Sequence, residues 1–342
     1  MAKTIIEFEH PIEELQSRIK DLKLLAEKRE LDLTTEIDSL QREKDNLIRK
    51  IFANLSAWQK IQIARHPNRP KIRFYLQHIF DEFIELSGDR TFRDDPAIVC
   101  GFARVGDRRV LAVGTDKGED IEHRIKCNFG CPHPEAYRKA NHKFRLAEKF
   151  NLPIVTFIDT PGAFPGIEAE ERNQSQAIAE NIALMSDLKV PIISIVTGEG
   201  GSGGALAIGL SDRLYTLEYS YYSVISPEGC AAILWKDAAK APEAAEALQI
   251  TSAKLKELGV ADDIIPEPLG GAHRNPAEMA ETLRQEIITG IEQLSSRSLE
   301  GLLEDRYCKY RNIGKFEEGT EEAMNSSETD SPENQQKADS EE

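Results

Sequence analysis

The chain has 342 residues, 40% of them hydrophobic, and a formal net charge of −16. That length suits one domain with extensions, and the acidic balance argues against non-specific binding to nucleic acid or to an anionic membrane. Five cysteines, an odd number at irregular spacing, fit reduced thiols in a cytoplasmic protein.

The start, MAKTIIEFEHPIEEL, lacks the apolar core of a secretory signal. No run reaches the roughly 18 apolar residues that a spanning helix needs. Over residues 11–52, Ile12, Leu15, Ile19 and Leu22, then Leu33, Ile37, Leu40, Leu47 and Ile51, recur at helical steps with charges between them. The stretch EKRELDLTTE breaks this pattern, which predicts a helical hairpin whose apolar stripes face each other or another chain. Its mixed polar face does not suit a membrane-surface helix. We read residues 1–66 as a packing arm that ends at the turn-rich HPNRP, 66–70.

AIVCGFARV and RRVLAVGT, joined around Gly106-Asp107, carry a β-hairpin signal. From residue 134 helix and strand patterns alternate. EAYRKANHKFRLAEKF reads as a helix and LPIVTFIDT as a buried strand ending in the loop PGAFPG. EERNQSQAIAENIALMSDL leads to a second buried strand, VPIISIV, and a glycine loop before ALAIGL. Pro153-Ile154-Val155 and Pro191-Ile192-Ile193 echo each other 38 residues apart. Continuous apolar strands alternating with helices imply an α/β fold with a covered parallel sheet. Such folds bind ligands beyond the carboxyl ends of the strands, where both glycine loops lie. Short strands RLYTLEY and YYSVIS, then SPEGCAAILW as a strand exit to helix and further helix at 242–258 and 276–295, complete a body spanning 67–300. The remainder, 301–342, reads as an acidic tail. Residues 317–342 hold ten acids against Lys337 alone, too little apolar surface to offset the entropy of ordering.

Between Gly198 and Gly204 five of seven residues are glycine. Gly198-x-Gly200-x-x-Gly203 satisfies a dinucleotide fingerprint, with Glu218 downstream, but comes late in the chain for one. Gly200-x-Ser202-x-Gly204 satisfies a nucleophile elbow, for which Asp262 or Asp263 and His273 would complete a triad. Glycine also permits close helix–strand packing, yet one or two would suffice. A strand-to-helix junction collects unpaired amides and the positive end of a helix dipole. That arrangement stabilises negative charge on a carbonyl oxygen, as in acyl-thioester enolate chemistry. IDTPGAFPG would wall the same pocket. Asp159 there is a candidate acid, although capping its own turn is the simpler role.

Together these segments closely resemble the alpha subunit of bacterial acetyl-coenzyme A carboxylase carboxyltransferases. The resemblance rests on NFGCPHPEAYRKA, FIDTPGAFPGIEAEERNQSQAIAENI, GEGGSGGALAIG and YSVISPEGCAAILWKDAAKAPEAAEAL, with PEPLGGAHRNP and ARHPNRP adding to it. It covers about residues 5–295. It implies a crotonase-like (ClpP/crotonase) spiral of ββα units. It also implies carboxyl transfer from carboxybiotin on the biotin carboxyl carrier protein to acetyl-CoA, giving malonyl-CoA. Implied partners are a beta subunit in an α2β2 heterotetramer and biotin carboxylase. Gly203 and Gly204 are then the amides that hold the biotin ureido oxygen, with Gly162, Ala163, Phe164, Gly200 and Gly201 as pocket walls. Phe164 stands where the family commonly has tyrosine.

The zinc ribbon of family beta subunits is not expected here, because the chain has no paired CxxC motifs. Cys127, Cys131 and His133 only loosely resemble ligands. Arg124, Lys126, Arg138, Lys139 and Arg172 are candidates for the CoA phosphates or the carrier protein. A stand-alone acyl-CoA hydratase or isomerase is the alternative, with Glu199 or Glu228 as its acid/base.

Overall fold

The structure, a computed structural model, describes residues 6–314. Ile12, Leu15 and Ile19 form the buried stripe of α1 (His10–Arg29), and α2 (Thr34–Phe52) runs back along it. Lys44 Nζ donates to Gln16 Oε1 across this hairpin at 2.8 Å. Ile12, Ile48 and Phe52 seat its base on Ile63 and Tyr219, so the stripes face each other and the body of the same chain. Ser56 and Gln59 form a reciprocal capping box that starts α3 (Ala57–Ala64). Ala57, Ile61 and Ala64 pack on Tyr221, Ala245 and Ile250. Residues 57–66, expected in the arm, therefore belong to the body.

After α4 (Ile72–Ile79), β1 (Glu82–Glu85), β2 (Ile98–Val105) and β3 (Arg108–Thr115) form an antiparallel meander. Gly106, at φ 56°, makes the expected hairpin turn. Then follow α5 (Ile121–Lys126), α6 (Pro134–Lys149), β4 (Ile154–Thr160), α7 (Ile167–Glu171), α8 (Gln174–Asp187), β5 (Ile192–Gly201), α9 (Ser202–Gly209) and β6 (Arg213–Leu217). The chain continues through β7 (Tyr221–Ser223), α10 (Pro227–Leu234), α11 (Ala241–Leu248), α12 (Ser252–Glu257), β8 (Asp263–Ile265), α13 (Pro276–Ser295) and α14 (Leu299–Arg311).

Among the described residues all eight strands lie in one sheet, in the order β1-β2-β3-β4-β5-β6-β8, with β7 also pairing β5. From β3 onward the pairing is parallel. Every residue of β4 and β5 is buried, as continuous apolar runs require. Ile154 pairs with Ile192 and Val155 with Ile193, so the 38-residue echo is the register of neighbouring strands. Strand alternation sends Val155, Phe157, Ile193 and Ile195 to one core, shared with α4 and α13. It sends Ile154, Ile158, Ile192 and Val196 to the other, shared with α6, α8 and α9.

The expected boundary at residue 300 is displaced. Ser298 caps α14, Leu302 is buried, and Arg306 is 2% exposed. Arg306 grips Asp212 through Nε and Nη2, both at 2.8 Å, and donates to the carbonyls of Met185, Leu188 and Val190. Residues 315–342, which hold the acidic stretch, lie outside the described residues. Among the described residues no helix is long and apolar enough to cross a membrane.

Removing one partner of a buried, fully hydrogen-bonded pair strands the other charge. Arg306→Ala should therefore lower unfolding free energy by about 3–5 kcal/mol. Denaturant unfolding checks this; a loss under about 1 kcal/mol would mean that α14 contributes little to the body.

Candidate active site

Strand β5 does not stop at the glycine run. It continues to Gly201, pairing β4 at Thr160–Gly200 beyond a bulge, and β7 over Glu199–Gly201. Three of the five glycines are therefore strand residues packed against close neighbours. A Cβ on Gly198 would enter the Asp159 carboxylate. One on Gly200 would enter the Tyr222 ring, and one on Gly201 the Pro161 carbonyl. Gly204 lies on α9, where a Cβ would sit 2.5 Å from Ala163 N and 2.6 Å from Gly162 C. Only Gly203 has room, with Ile178 at 3.6 Å. Ser202, at φ 52°, makes the turn from strand to helix. Ser202 is exposed, Gly203 half-buried and Gly204 buried. The first amides of α9 have no carbonyl four residues back and carry the positive end of its dipole.

The loop after β4 is held from within. Thr160 Oγ1 donates to Gly130 O at 2.6 Å and accepts the Gly162 N–H at 3.0 Å. The Phe164 N–H donates to Pro132 O at 3.0 Å, and Gln174 Nε2 donates to the carbonyls of both residues. Gly162 and Ala163 thereby come against Gly201 and Gly204. Two expected wall residues face elsewhere. Phe164 stacks on His133 with ring centroids 4.2 Å apart, and Gly200 lies against Tyr222.

On the sheet's other side, at the same strand ends, sits a charged cluster. Lys117, two residues beyond β3, is 2.6 Å from Asp159 Oδ1 and also contacts Glu199 Oε2. Arg65 Nε reaches Glu199 Oε1 at 2.6 Å and Arg65 Nη1 reaches Glu228 Oε1 at 2.5 Å. Tyr221 OH donates to Glu199 Oε1 at 2.6 Å. Burial alone would raise the Glu199 pKa, but Lys117 and Arg65 outweigh it and hold the carboxyl at about 2. Burial lowers the Lys117 pKa, and Asp159 and Glu199 more than reverse that. Asp159 accepts the Glu199 N–H at 2.9 Å, so it ties β4 to β5 instead of capping its own turn.

Several sequence expectations do not assemble. His273 stacks on His66 and faces Glu9 at 3.2 Å. Asp262 pairs with Lys309, and Asp263 with Lys256. Ser202 thus has neither triad partner. Glu218 accepts the Glu267 N–H, away from the glycine junction. Glu199 and Glu228 are both engaged by Arg65, and the lowered pKa of Glu199 does not suit it to proton transfer. Cys127 Sγ donates to Pro96 O, while His133 lies against Asp95 and Asn128; the three loose ligand candidates do not converge. Of the five basic candidates, Lys126 pairs with Glu122, Lys139 with Asp94, and Arg138 and Arg172 with Glu135. Arg124 alone has no ion-pair partner among the described residues. Arg65, Lys117 and Tyr221 were not singled out from sequence. ARHPNRP contains Arg65 but reads as a turn, and DKG after a strand reads as a loop.

Helix-start amides beside a second backbone loop, at the strand ends of a mixed sheet of this topology, place the chain among the crotonase-fold carboxyltransferases as a fold class. Solved structures agree in fold. Transcarboxylase 12S aligns with TM-score 0.54 at 20% identity, covering 74% of this chain and 44% of its own. The beta subunit of P. aeruginosa geranyl-CoA carboxylase aligns with TM-score 0.51 at 18% identity, covering 72% and 46%. Residues 5–314 match the family described as acetyl co-enzyme A carboxylase carboxyltransferase-like, and the chain belongs to that family. It is 54% identical over 315 residues to the acetyl-coenzyme A carboxylase carboxyl transferase subunit alpha of Azotobacter vinelandii, covering 92% of this chain and 100% of that one. It is 53% identical over 314 residues to the Pseudomonas aeruginosa (strain LESB58) subunit alpha, covering 92% and 99%.

The Glu199 carboxyl titrates near 4.5 when unfolded and near 2 when folded. Its stabilisation is full above about pH 4.5 and disappears as pH falls toward 2. Glu199→Gln should therefore be destabilised by about 3 kcal/mol at pH 7. Wild type and variant should converge near pH 2. A constant difference across that range, measured by denaturant unfolding, would remove the ion cluster from the account.

Proposed function

We propose that this chain is the alpha half of an acetyl-CoA carboxylase carboxyltransferase. With a beta subunit it transfers the carboxyl group of carboxybiotin, borne by the carrier protein, to acetyl-CoA, giving malonyl-CoA for fatty acid synthesis in the cytoplasm. The observation that carries this reading is the junction itself, in a chain of this family. The amides of Gly203 and Gly204 open beside the Gly162–Ala163 backbone, with no acid, base or activated nucleophile among the side chains there. When bound, carboxybiotin would supply the carboxyl group, and the proton lost from the acetyl methyl group would pass to its ureido group rather than to a side chain of this chain. This chain's amides would donate to the ureido oxygen as its charge grows. Their positions are set beforehand by strand pairing and by Thr160, so little reorganisation is needed when charge appears.

Three features support a partner chain over this mouth. Ser202 is exposed, and Ile167 and Val224 are 78% and 77% exposed. Apolar side chains that open beside a reactive junction suit enclosure by protein, which would exclude water. We assign that role to the beta subunit in an α2β2 assembly, served by the biotin carboxyl carrier protein and biotin carboxylase.

Purified chain mixed with a beta subunit should carboxylate biotin from malonyl-CoA in the reverse direction, and either chain alone should not. Hydration of an enoyl-CoA by this chain alone would overturn the reading. The glycines should differ sharply. Gly204→Ala drives a Cβ into the Gly162–Ala163 backbone and should reduce kcat at least 100-fold, about 3 kcal/mol of barrier. Gly203→Ala, whose Cβ has space, should stay within about threefold. Equal losses would mean that the separation of loop and helix does not govern the reaction.

A further inference from the structure

Strands β4 and β5 change register just before the glycine junction. Ile158 pairs with Val196, yet Thr160 pairs with Gly200. Asp159 therefore stands alone opposite Thr197, Gly198 and Glu199. Extra residues in one strand leave backbone groups without ladder partners and re-aim the chain that follows. Side chains take those groups here. The Asp159 carboxylate accepts the Glu199 N–H at 2.9 Å, and Arg69 Nε donates to the Thr197 carbonyl at 2.6 Å. Gly198 leaves the room for this, since a Cβ there would lie 2.4 Å from Asp159 Oδ1.

Lys117, from the end of β3, closes the bulge. Its Nζ is 2.6 Å from Asp159 Oδ1 and also contacts Glu199 Oε2. Among the described residues no other cation forms an ion pair with Asp159; Arg65 reaches Glu199 and Glu228 only. The Lys117 stem lies against Gly130, where a Cβ would sit 2.5 Å from Lys117 Cγ. The Gly130 carbonyl accepts from Thr160 Oγ1, which accepts the Gly162 N–H. One side chain thus touches the roots of both backbone walls: Asp159 just before the Gly162–Ala163 loop, and Glu199 just before α9. Burial lowers the Lys117 pKa, and Asp159 and Glu199 more than reverse that, so the ammonium stays charged at neutral pH.

We propose that Lys117 is a positioning residue for carboxyl transfer: by bridging Asp159 and Glu199 it holds the bulge shut, and so sets the separation between the Gly162–Ala163 loop and the first amides of α9. The role in the reaction rests on the carboxyltransferase reading; the bridge rests on the geometry alone. Without the ammonium, Asp159 and Glu199 repel each other across the bulge, and Arg65 compensates only Glu199. The strand ends then move apart and carry the two walls with them. Donors act on developing charge over a narrow range, about 2.7–3.1 Å, and a misplacement of about 1 Å can cost about 100-fold. The loss should fall on kcat, because the amides meet full charge only in the transition state.

The test uses the complex of this chain with its beta subunit, assayed in reverse with malonyl-CoA and free biotin. Lys117→Met keeps the stem and removes the charge. Its kcat should fall about 30- to 100-fold while KM for malonyl-CoA stays within about twofold. Lys117→Met combined with Glu199→Gln removes the repulsion without restoring the bridge, so kcat should remain at least about tenfold below wild type. Hydrogen exchange gives a readout independent of turnover. Amides of 199–201 should exchange at least about tenfold faster in Lys117→Met, and those of 193–196 at the wild-type rate. A variant kcat within about threefold of wild type would overturn the proposal, as would a raised KM with kcat intact. Recovery in the double variant would reduce Lys117 to charge balance and overturn it too. Faster exchange throughout β4 and β5 would assign Lys117 to overall stability instead, and unchanged exchange at 199–201 would remove the bridge. A wild-type complex that transfers nothing, with exchange at 199–201 faster in the variant, would sink the carboxyltransferase reading and leave the bridge standing.

Discussion

Strands β4 and β5 end with their backbones pressed together, and that approach requires residues 198, 201 and 204 to lack a Cβ. Every later feature of the site depends on it. With Gly201 against Pro161 and Gly204 against Gly162 and Ala163, the first turn of α9 is fixed beside the loop that follows β4. The amides are aimed by packing, not by a flexible glycine hinge. Five glycines in seven positions are an entropic burden on folding. The structure accounts for four of them sterically, counting Gly200 against Tyr222. So many glycines therefore do not mean as many bare amides. Most serve contact, and the amides are a consequence of where contact places the helix.

The same approach places ionisable groups where they must be paired. Asp159 and Glu199 leave adjacent strands at the same level, and one backbone N–H already joins them. Two carboxylates so close, and nearly buried, repel each other and call for positive partners. Lys117 from the end of β3 and Arg65 from the end of α3 supply the compensation. That is also why Glu199, an attractive general acid in a glycine-rich loop, is ill-suited to the work. A carboxyl held near pH 2 by two cations neither gives up nor takes a proton at neutral pH.

Much of the fold was legible in the sequence because its signals are local. The helical hairpin, the Gly106 turn and the two buried strands each announce themselves within about twenty residues. The echo at Pro153 and Pro191 turns out to be a register, since both strands begin at the same level of the sheet. What could not be read depends on contacts between distant segments. Arg65 and Glu199 are 134 residues apart, and Lys117 and Glu199 are 82 apart. No spacing rule links them. Helix α14 was missed for another reason. LEGLLEDRYCKYR carries little apolar pattern, and it docks through a buried arginine in a socket of carbonyls instead of an apolar stripe. In the proposed site, Gly204, Gly162 and Ala163 do meet, whereas Phe164 and Gly200 were placed in it by sequence proximity and point to other neighbours.

The two sides of these strand ends differ in kind, and the difference bears on function. Toward α8 and α9 the polar groups are backbone amides, neutral and fixed. Toward α3 and α4 they are full charges, most of them paired. Neutral amides favour a charge that appears only during reaction, because they bind the uncharged state weakly and the anion strongly. Permanent cations favour a charge that is always present, because they attract it before any bond is broken. A carboxyl-transfer enzyme meets a transient charge on the ureido and enolate oxygens, and the lasting charges beside these strand ends are its own carboxylates, Asp159 and Glu199. The amides lie toward α8 and α9, and from the side of α3 and α4 the ion cluster of Asp159, Lys117 and Glu199 ties the same strand ends together.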